Sequence, residues 1–391
     1  MTEKNNKKRI LILSTAYYPF VGGAEVAIKE ITDRLGNDFD FDLITAKLKK
    51  GLPKIEKVGN VTVYRIGNGN VTWDKILLPF RGFLLVRKLN KRNEYFCMWG
   101  MMATFGSGAG YIFNIYRKLT FQKRIPMILT LQEGDSEAHL NFRWLGLIAL
   151  SWKLALRNTD VLTAISNFLL NRAEKNGYKG ESFLVPNGVD VDLFGKEIDE
   201  NVRVDMKNTL GKKDGEIFLV TTGRLTHKNA TDDIISALPK LNKDISLVVI
   251  GRGDDGPKLQ KLANDLGVAH RVKFLGFVPY TDIPKYFSTC DIFIRPSRSE
   301  GFGNSFIEAM AAKLPVIATP VGGIVDFIND KETGVYCSPN NPQSIAKAVN
   351  LILEDDSLRN QMVENAYNRV KDRYDWNHVS VQMKEVFDKA L

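Results

Sequence analysis

The densest chemistry in the chain lies in Pro296-Ser297-Arg298-Ser299-Glu300-Gly301-Phe302-Gly303-Asn304-Ser305-Phe306-Ile307-Glu308-Ala309-Met310. The stretch follows an apolar run at 292–295, turns through two glycines and enters a helix near Asn304. The first free N–H groups of that helix and its dipole make an anion site suited to a phosphate. Glu308 lies one turn inside, on the face shared with Asn304. Helical side chains lean toward the N-terminus, so its carboxylate is expected to point at whatever the loop holds. A carboxylate beside an anion site is unsuited to the anion itself and suited to accept hydrogen bonds from sugar hydroxyls. Glu300, on the loop before the helix, is expected to reach a second sugar.

A second constellation, Thr222-Gly223-Arg224-Leu225-Thr226-His227-Lys228, also leaves an apolar run at its carboxyl end. Arg224 supplies a fork of donors and Lys228 a mobile point charge, a combination that fits a diphosphate. A third, Gly22-Gly23 with Ala24-Glu25, opens a helix where glycine lets a ligand approach the backbone closely. Neither GxGxxG nor the P-loop pattern is present. GxSxG, HExxH and paired CxxC are absent too. Asp254-Asp255 sits on the Gly251-Arg252-Gly253 turn, where Asp is common, so no metal site is expected.

The elements that must position these residues are short apolar runs alternating with helical patterns, the signature of parallel sheets covered by helices. Strands are expected at 10–13, 41–45, 61–66, 95–99, 127–131, 161–164 and 182–185, and helices at 24–35, 145–156 and 168–175. After the polar segment 190–215 the pattern restarts, with strands at 217–222, 246–250, 272–275, 292–295 and 315–318 and helices at 232–241 and 258–266. A last helix is expected at 376–391. Two doubly wound α/β units joined near residue 190 follow, each with its ligand loops at the carboxyl ends of the strands.

Composition sets the bounds. At about 150 residues per domain, 391 residues with 44% hydrophobic and 25% charged content suggest two or three folded units, and they exclude disorder, collagen and coiled coil. Cys97, Cys290 and Cys337 form no disulfide framework, which points to a reducing compartment. The uncharged stretch 10–24 after Lys7-Lys8-Arg9 imitates a signal peptide, but Tyr17, Tyr18, Pro19 and Gly22-Gly23 break its apolar core. Residues 95–116, uncharged and as long as the roughly 20 residues a bilayer span needs, carry four glycines and read better as a strand and a helix.

The net charge of +9 is uneven. Residues 1–190 carry 28 Lys and Arg against 17 Asp and Glu, a net +11, and residues 191–391 carry 26 against 28, a net −2. Clusters stand at 47–50, 81–92, 117–118 and 123–124. The second mixes Phe83, Leu84, Leu85 and Val86 with its charges, as an interfacial helix on an anionic membrane does; the competing reading makes those four the inward face of a core helix. Aromatic residues do not interleave with the basic runs, so nucleic acid is not an expected partner.

Taken together the motifs are recognisable: the chain resembles the retaining glycosyltransferases of family 4. The resemblance rests on Gly22-Gly23-Ala24-Glu25, Ala164-Ile165-Ser166-Asn167, Val185-Pro186-Asn187-Gly188-Val189-Asp190, Gly223-Arg224-Leu225 with Lys228, Val249-Ile250-Gly251-Arg252-Gly253, and the E-x7-E spacing of Glu300 and Glu308. It implies the GT-B fold, two Rossmann-like domains facing a central cleft. The acceptor domain would span 1–190, with a C-terminal helix at about 374–391 packing back on it, and the donor domain 191–373.

It further implies a nucleoside-diphosphate sugar as donor and a glycan or lipid-linked acceptor, with no cofactor and no metal; the basic clusters and the cysteine usage add the expectation of a cytoplasmic setting, at the inner face of the plasma membrane. Arg224 and Lys228 would hold the diphosphate, and Glu308 the ribose hydroxyls. Glu300 and the backbone of Gly301, Phe302, Gly303 and Asn304 would hold the transferred sugar, with Gly22, Gly23 and Gly223 admitting the donor. Where relatives often carry His, this chain has Gln132, which cannot titrate. Glu133, Asp135 and Asn187 join Gln132 as candidates for sugar or acceptor contacts, and His139 as a further substitute. The competing readings are a nucleotide-sugar epimerase on the same fold and a non-catalytic nucleotide-sugar binder.

Overall fold

The computed structural model describes residues 7–134 and 147–390. Eight strands make a first sheet: β1 (Lys8–Leu13), β2 (Phe39–Ala46), β3 (Ile55–Val58), β4 (Val61–Ile66), β5 (Tyr95–Met101), β6 (Met127–Leu131), β7 (Val161–Ala164) and β8 (Glu181–Leu184). Their order is β3-β4-β2-β1-β5-β6-β7-β8. Among the described residues only the β3–β4 pair is antiparallel. Ile10, Leu11, Ile12 and Leu13 are all fully buried, as a central strand covered on both faces requires.

Six strands make the second sheet: β9 (Ile217–Thr222), β10 (Ile245–Ile250), β11 (Val272–Gly276), β12 (Ile292–Arg295), β13 (Val316–Ala318) and β14 (Val335–Tyr336), all parallel, in the order β11-β10-β9-β12-β13-β14. This is the doubly wound order, and it reverses between β9 and β12, where such sheets take their ligands. In the first sheet the corresponding reversal lies between β1 and β5.

The chain divides into two units, one running through Asn187 and resuming at Trp376, the other comprising Gly188–Asp375. The first crossing falls after Asn187 and not after Asp190, and the second after Asp375 and not after 373. Val189 N–H donates to the Tyr374 carbonyl (2.8 Å), which keeps both crossing strands with the second unit. The helix Trp376–Lys389 is amphipathic, and Trp376, Val379, Met383, Val386 and Phe387 join the core of the first unit. The Phe387 ring lies 5.3 Å from Trp99 and 5.5 Å from Phe39.

The polar segment 190–215 is not without structure: it holds the helices Val191–Phe194 and Glu200–Leu210. The second buries only Leu210, so no apolar period marks it. It is defined by its ends, where the Asp199 carboxylate accepts from Asn201 N–H (2.9 Å) and Gly211 closes the helix. The helix expected at 232–241 ends at Ala237 and tightens into a 3-10 turn at Leu238–Lys240, where Pro239 removes an N–H. Residues 95–116 form β5 and enter the helix Gly108–Leu119. The basic cluster at 81–92 lies largely in the helix Leu78–Asn90, which buries Leu78, Gly82, Val86 and Leu89 while leaving Phe80 and Leu84 exposed. Neither reading of that helix holds for all four apolar residues.

Because Phe387 is fully buried among aromatic rings, Phe387→Ala should cost the first unit about 3–5 kcal/mol. Urea unfolding followed by Trp fluorescence measures the loss; a change under 1 kcal/mol would mean the helix does not support this core.

Candidate active site

The turn after β9 is held by a continuation of the parallel ladder. Gly223 N–H donates to the Ile250 carbonyl (3.0 Å) and Leu225 N–H to Arg252 O (3.0 Å), so Gly223-Arg224-Leu225 runs beside Gly251-Arg252-Gly253. A Cβ on Gly251 would stand 1.9 Å from Gly223 O, which is why the neighbouring turn needs glycine there. The turn presents Arg224 exposed and Lys228 half-buried. Among the described residues neither side chain forms an ion pair, so both cations are uncommitted.

The loop after β12 is laced to that turn. Arg298 N–H donates to the Lys228 carbonyl (2.7 Å), while its guanidinium reaches His227 O (2.6 Å) and both Asp232 oxygens (2.9 Å each). The helix Asn304–Ala311 then begins after Gly303 and presents its N-terminal end from the same strand end. Gly323 N–H donates to Glu300 O (3.2 Å), and a Cβ on Gly322 would meet that carbonyl at 1.8 Å. The Gly322-Gly323 pair thus fixes the Glu300 backbone, a role the sequence reading missed although a glycine pair after a strand is its signal.

One expectation changes. Glu300 is buried: its Oε2 accepts from Arg295 Nη2 in an ion pair, and its Oε1 accepts from Gly301 N–H (3.1 Å). Its carboxylate is therefore engaged, not open to a sugar as its loop position suggested. Phe302 is a core residue, 1% exposed, with its ring 5.0 Å from Phe327 and 5.7 Å from Tyr374, so only its backbone faces the loop. The residue that sequence reasoning passed over is Arg295, which closes β12 and joins Asn229, Glu300 and Ser305. A single Arg at the end of an apolar strand was the only signal.

In the first unit, Gly22 caps the helix Gly23–Arg34 with extended backbone that any residue adopts. A Cβ there would meet only the Glu25 carboxylate, so glycine is not demanded by the turn itself. Gln132 and Asn187 form a reciprocal amide pair: Gln132 Nε2 donates to Asn187 Oδ1 (3.0 Å) and Asn187 Nδ2 to Gln132 Oε1 (3.2 Å). Glu133 is buried and accepts from Ala103 N–H (2.5 Å) and Gln132 N–H (3.1 Å), which ties the end of β6 to the segment after β5. Asp135 and His139 lie outside the described residues.

Residues 202–369 match the family model for Glycosyl transferases group 1, and residues 21–193 match that for Glycosyltransferase Family 4. An uncharacterised glycosyltransferase of Methanocaldococcus jannaschii is 27% identical over 395 residues, covering 98% of each chain. A GDP-mannose-dependent alpha-(1-6)-phosphatidylinositol monomannoside mannosyltransferase of Mycolicibacterium smegmatis is 29% identical over 240 residues, which are 59% of this chain and 62% of that one. Among solved structures, sucrose-phosphate synthase from Thermosynechococcus elongatus superposes with a TM-score of 0.82 at 20% identity, covering 98% of each chain. The fold is accordingly GT-B, with two Rossmann-like α/β domains.

Glu308 is half-buried, and burial pushes its carboxyl up to about 7, partly offset by the Arg295 charge. A raised folded value means the fold prefers the neutral form. Below pH 4.5 Glu308 is neutral in both states. From there to about 7 the unfolded chain ionises first, so stability falls as pH rises and levels off above. Glu308→Gln removes that slope. It should be about 2 kcal/mol more stable than the parent at pH 8, after discounting for partial exposure, and indistinguishable near pH 4. Urea midpoints at the two pH values check this; a variant less stable at pH 8 would contradict it.

Proposed function

The chain belongs to the family 4 glycosyltransferases, and from that premise we propose that it moves a sugar from a nucleoside-diphosphate sugar to a glycan or lipid-linked acceptor, with net retention and without a metal. One observation carries the donor reading. Arg224 and Lys228, both uncommitted, stand on a turn laced to the start of the Asn304–Ala311 helix, at the point where the strand order reverses. The acceptor hydroxyl forms its bond to the anomeric carbon as the bond to the β-phosphate oxygen breaks. Its proton passes to the departing phosphate, whose charge Arg224, Lys228 and the helix N–H groups take up. Those cations supply the charge that a divalent ion would otherwise bring. Glu308, once ionised, accepts from the ribose hydroxyls. The GDP-mannose dependence in the mycobacterial relative's name supports a nucleotide sugar as donor.

Arg224→Ala should weaken binding of uridine or guanosine diphosphate by about 1.5–3 kcal/mol, the range for a hydrogen bond to a charged group. Titration calorimetry reads this, and unchanged affinity would remove the site. In the parent enzyme, transfer should persist in EDTA and give a product of retained anomeric configuration by NMR. An inverted centre, or activity restored only by manganese or magnesium, would overturn that part.

The acceptor reading rests on the first unit. Between Lys75 and Gln132 the only acid is Glu94, against Lys75, Arg81, Arg87, Lys88, Lys91, Arg92, Arg117, Lys118, Lys123 and Arg124. Helices Leu78–Asn90 and Gly108–Leu119 pack side by side, with Phe83 against Phe113 and Tyr116. Outward they leave Phe80, Leu84 and Leu119 exposed, with Phe121 beyond them 99% exposed. Apolar tips among cations suit an anionic leaflet, where each Lys or Arg contributes roughly 1 kcal/mol. Among the described residues no helix is long and apolar enough to cross a membrane. The relative's phosphatidylinositol monomannoside substrate supports a lipid-linked acceptor. Three buried free cysteines support a cytoplasmic setting. Binding to phosphatidylglycerol vesicles in co-sedimentation should fade with salt and fall when Phe80, Leu84 and Phe121 become Ser. Equal binding to phosphatidylcholine, or none at low salt, would sink the membrane reading.

A further inference from the structure

We propose that Arg295 is the positioning residue of the donor site: its guanidinium holds the Arg224 turn, the Glu300 loop and the start of the Glu308 helix in one register. The proposal rests on the reading above that these loops hold the donor. Arg295 ends β12 and is only 8% exposed. Its Nη2 donates to Asn229 Oδ1 (3.0 Å) and to Glu300, and its Nη1 donates to Ser305 Oγ (2.7 Å). Asn229 in turn donates through Nδ2 to the Arg224 carbonyl (2.6 Å). Ser305 is the second residue of the helix that carries Glu308. One fork therefore reaches all three segments, and a Cβ on Gly223 would lie only 3.6 Å from Arg295 Nη1.

The details favour positioning over plain core stability. A buried guanidinium kept for stability would have every donor answered, yet Arg295 Nε is buried with no hydrogen-bond partner among the described residues. The two Nη groups are spent on the loops. Buried ion pairs are also poor sources of stability, because desolvation offsets attraction, so the arrangement makes more sense as a register device. Lys cannot replace the fork: its single ammonium carries the charge without the planar geometry that serves three acceptors.

The test uses full-length Arg295→Lys and, as a second break in the same relay, Asn229→Ala, which spares the Arg295–Glu300 pair. Thermal midpoints, calorimetric affinity for uridine and guanosine diphosphate, and turnover of whichever of UDP-glucose or GDP-mannose the parent uses are compared. Arg295→Lys should lower kcat at least tenfold while donor KM and diphosphate affinity stay within about threefold, since misplacing the reacting groups costs rate while Arg224 and Lys228 still bind. Asn229→Ala should show the same split, more weakly. Parental kcat in Arg295→Lys overturns the proposal. So does a kcat loss in Arg295→Lys with parental turnover in Asn229→Ala, which would make Arg295 a structural residue alone. Failure of the parent to bind either diphosphate would strike the donor reading instead.

Discussion

Placing a guanidinium inside a protein obliges its surroundings to answer a full charge with acceptors at fixed angles. At Arg295 the answer comes from Glu300 and Ser305, within ten residues along the chain, and from Asn229, 66 positions away, and that obligation shapes the second unit's strand ends. Glu300 is drawn into the interior to meet it. Its backbone is then clamped from the other side by Gly322-Gly323, where no side chain fits at Gly322 and Gly323 N–H donates to the Glu300 carbonyl. Arg224 and Lys228 remain uncommitted because the acids nearby are taken by Arg295 and Arg298. Other cations are thus spent on the framework, and Arg224 and Lys228 are left for the diphosphate proposed above.

Glu308 shows the other side of this arrangement. It faces a low-dielectric surrounding with one cation in range, so its proton affinity rises to the neutral region. A carboxyl in that state costs stability when ionised and becomes useful when hydroxyl donors arrive to satisfy the charge. The same residue is a liability to the stability of the fold and, in the function proposed above, an acceptor for the ribose, the trade between stability and function expected where polar groups are placed for a ligand.

The first unit solves a different problem. Its sheet needs cover on both faces, and part of the cover is the helix Trp376–Lys389, which follows the whole second unit in sequence. Meanwhile Gln132 and Glu133 at the end of β6 are engaged by Asn187 and by backbone N–H groups. Neither is placed as a free acid or base. On the outer helices, cations with no acidic partner among the described residues stand beside exposed Phe80, so composition and surface chemistry point the same way there.

By itself the sequence determined the strand and helix alternation, the doubly wound class and the E-x7-E and Arg224 to Lys228 constellations. Each of these is local: an apolar run, a glycine turn and a helix start lie within a dozen residues, where period and turn chemistry are decided by neighbours along the chain. It also carried the terminal helix, whose apolar period is regular. It did not reveal the helix Glu200–Leu210, because a helix that buries one side chain has no apolar stripe to read. Nor did it show that Glu300 is paired, that Phe302 is core, that Gln132 meets Asn187 across 55 positions, or that Arg295 joins Asn229, Glu300 and Ser305. Those are choices among many possible partners for each charge and amide. Only the folded sheets, by bringing strand ends side by side in the dry interior as β9 and β12 are in the second, make one pairing cheaper than leaving a polar group unanswered.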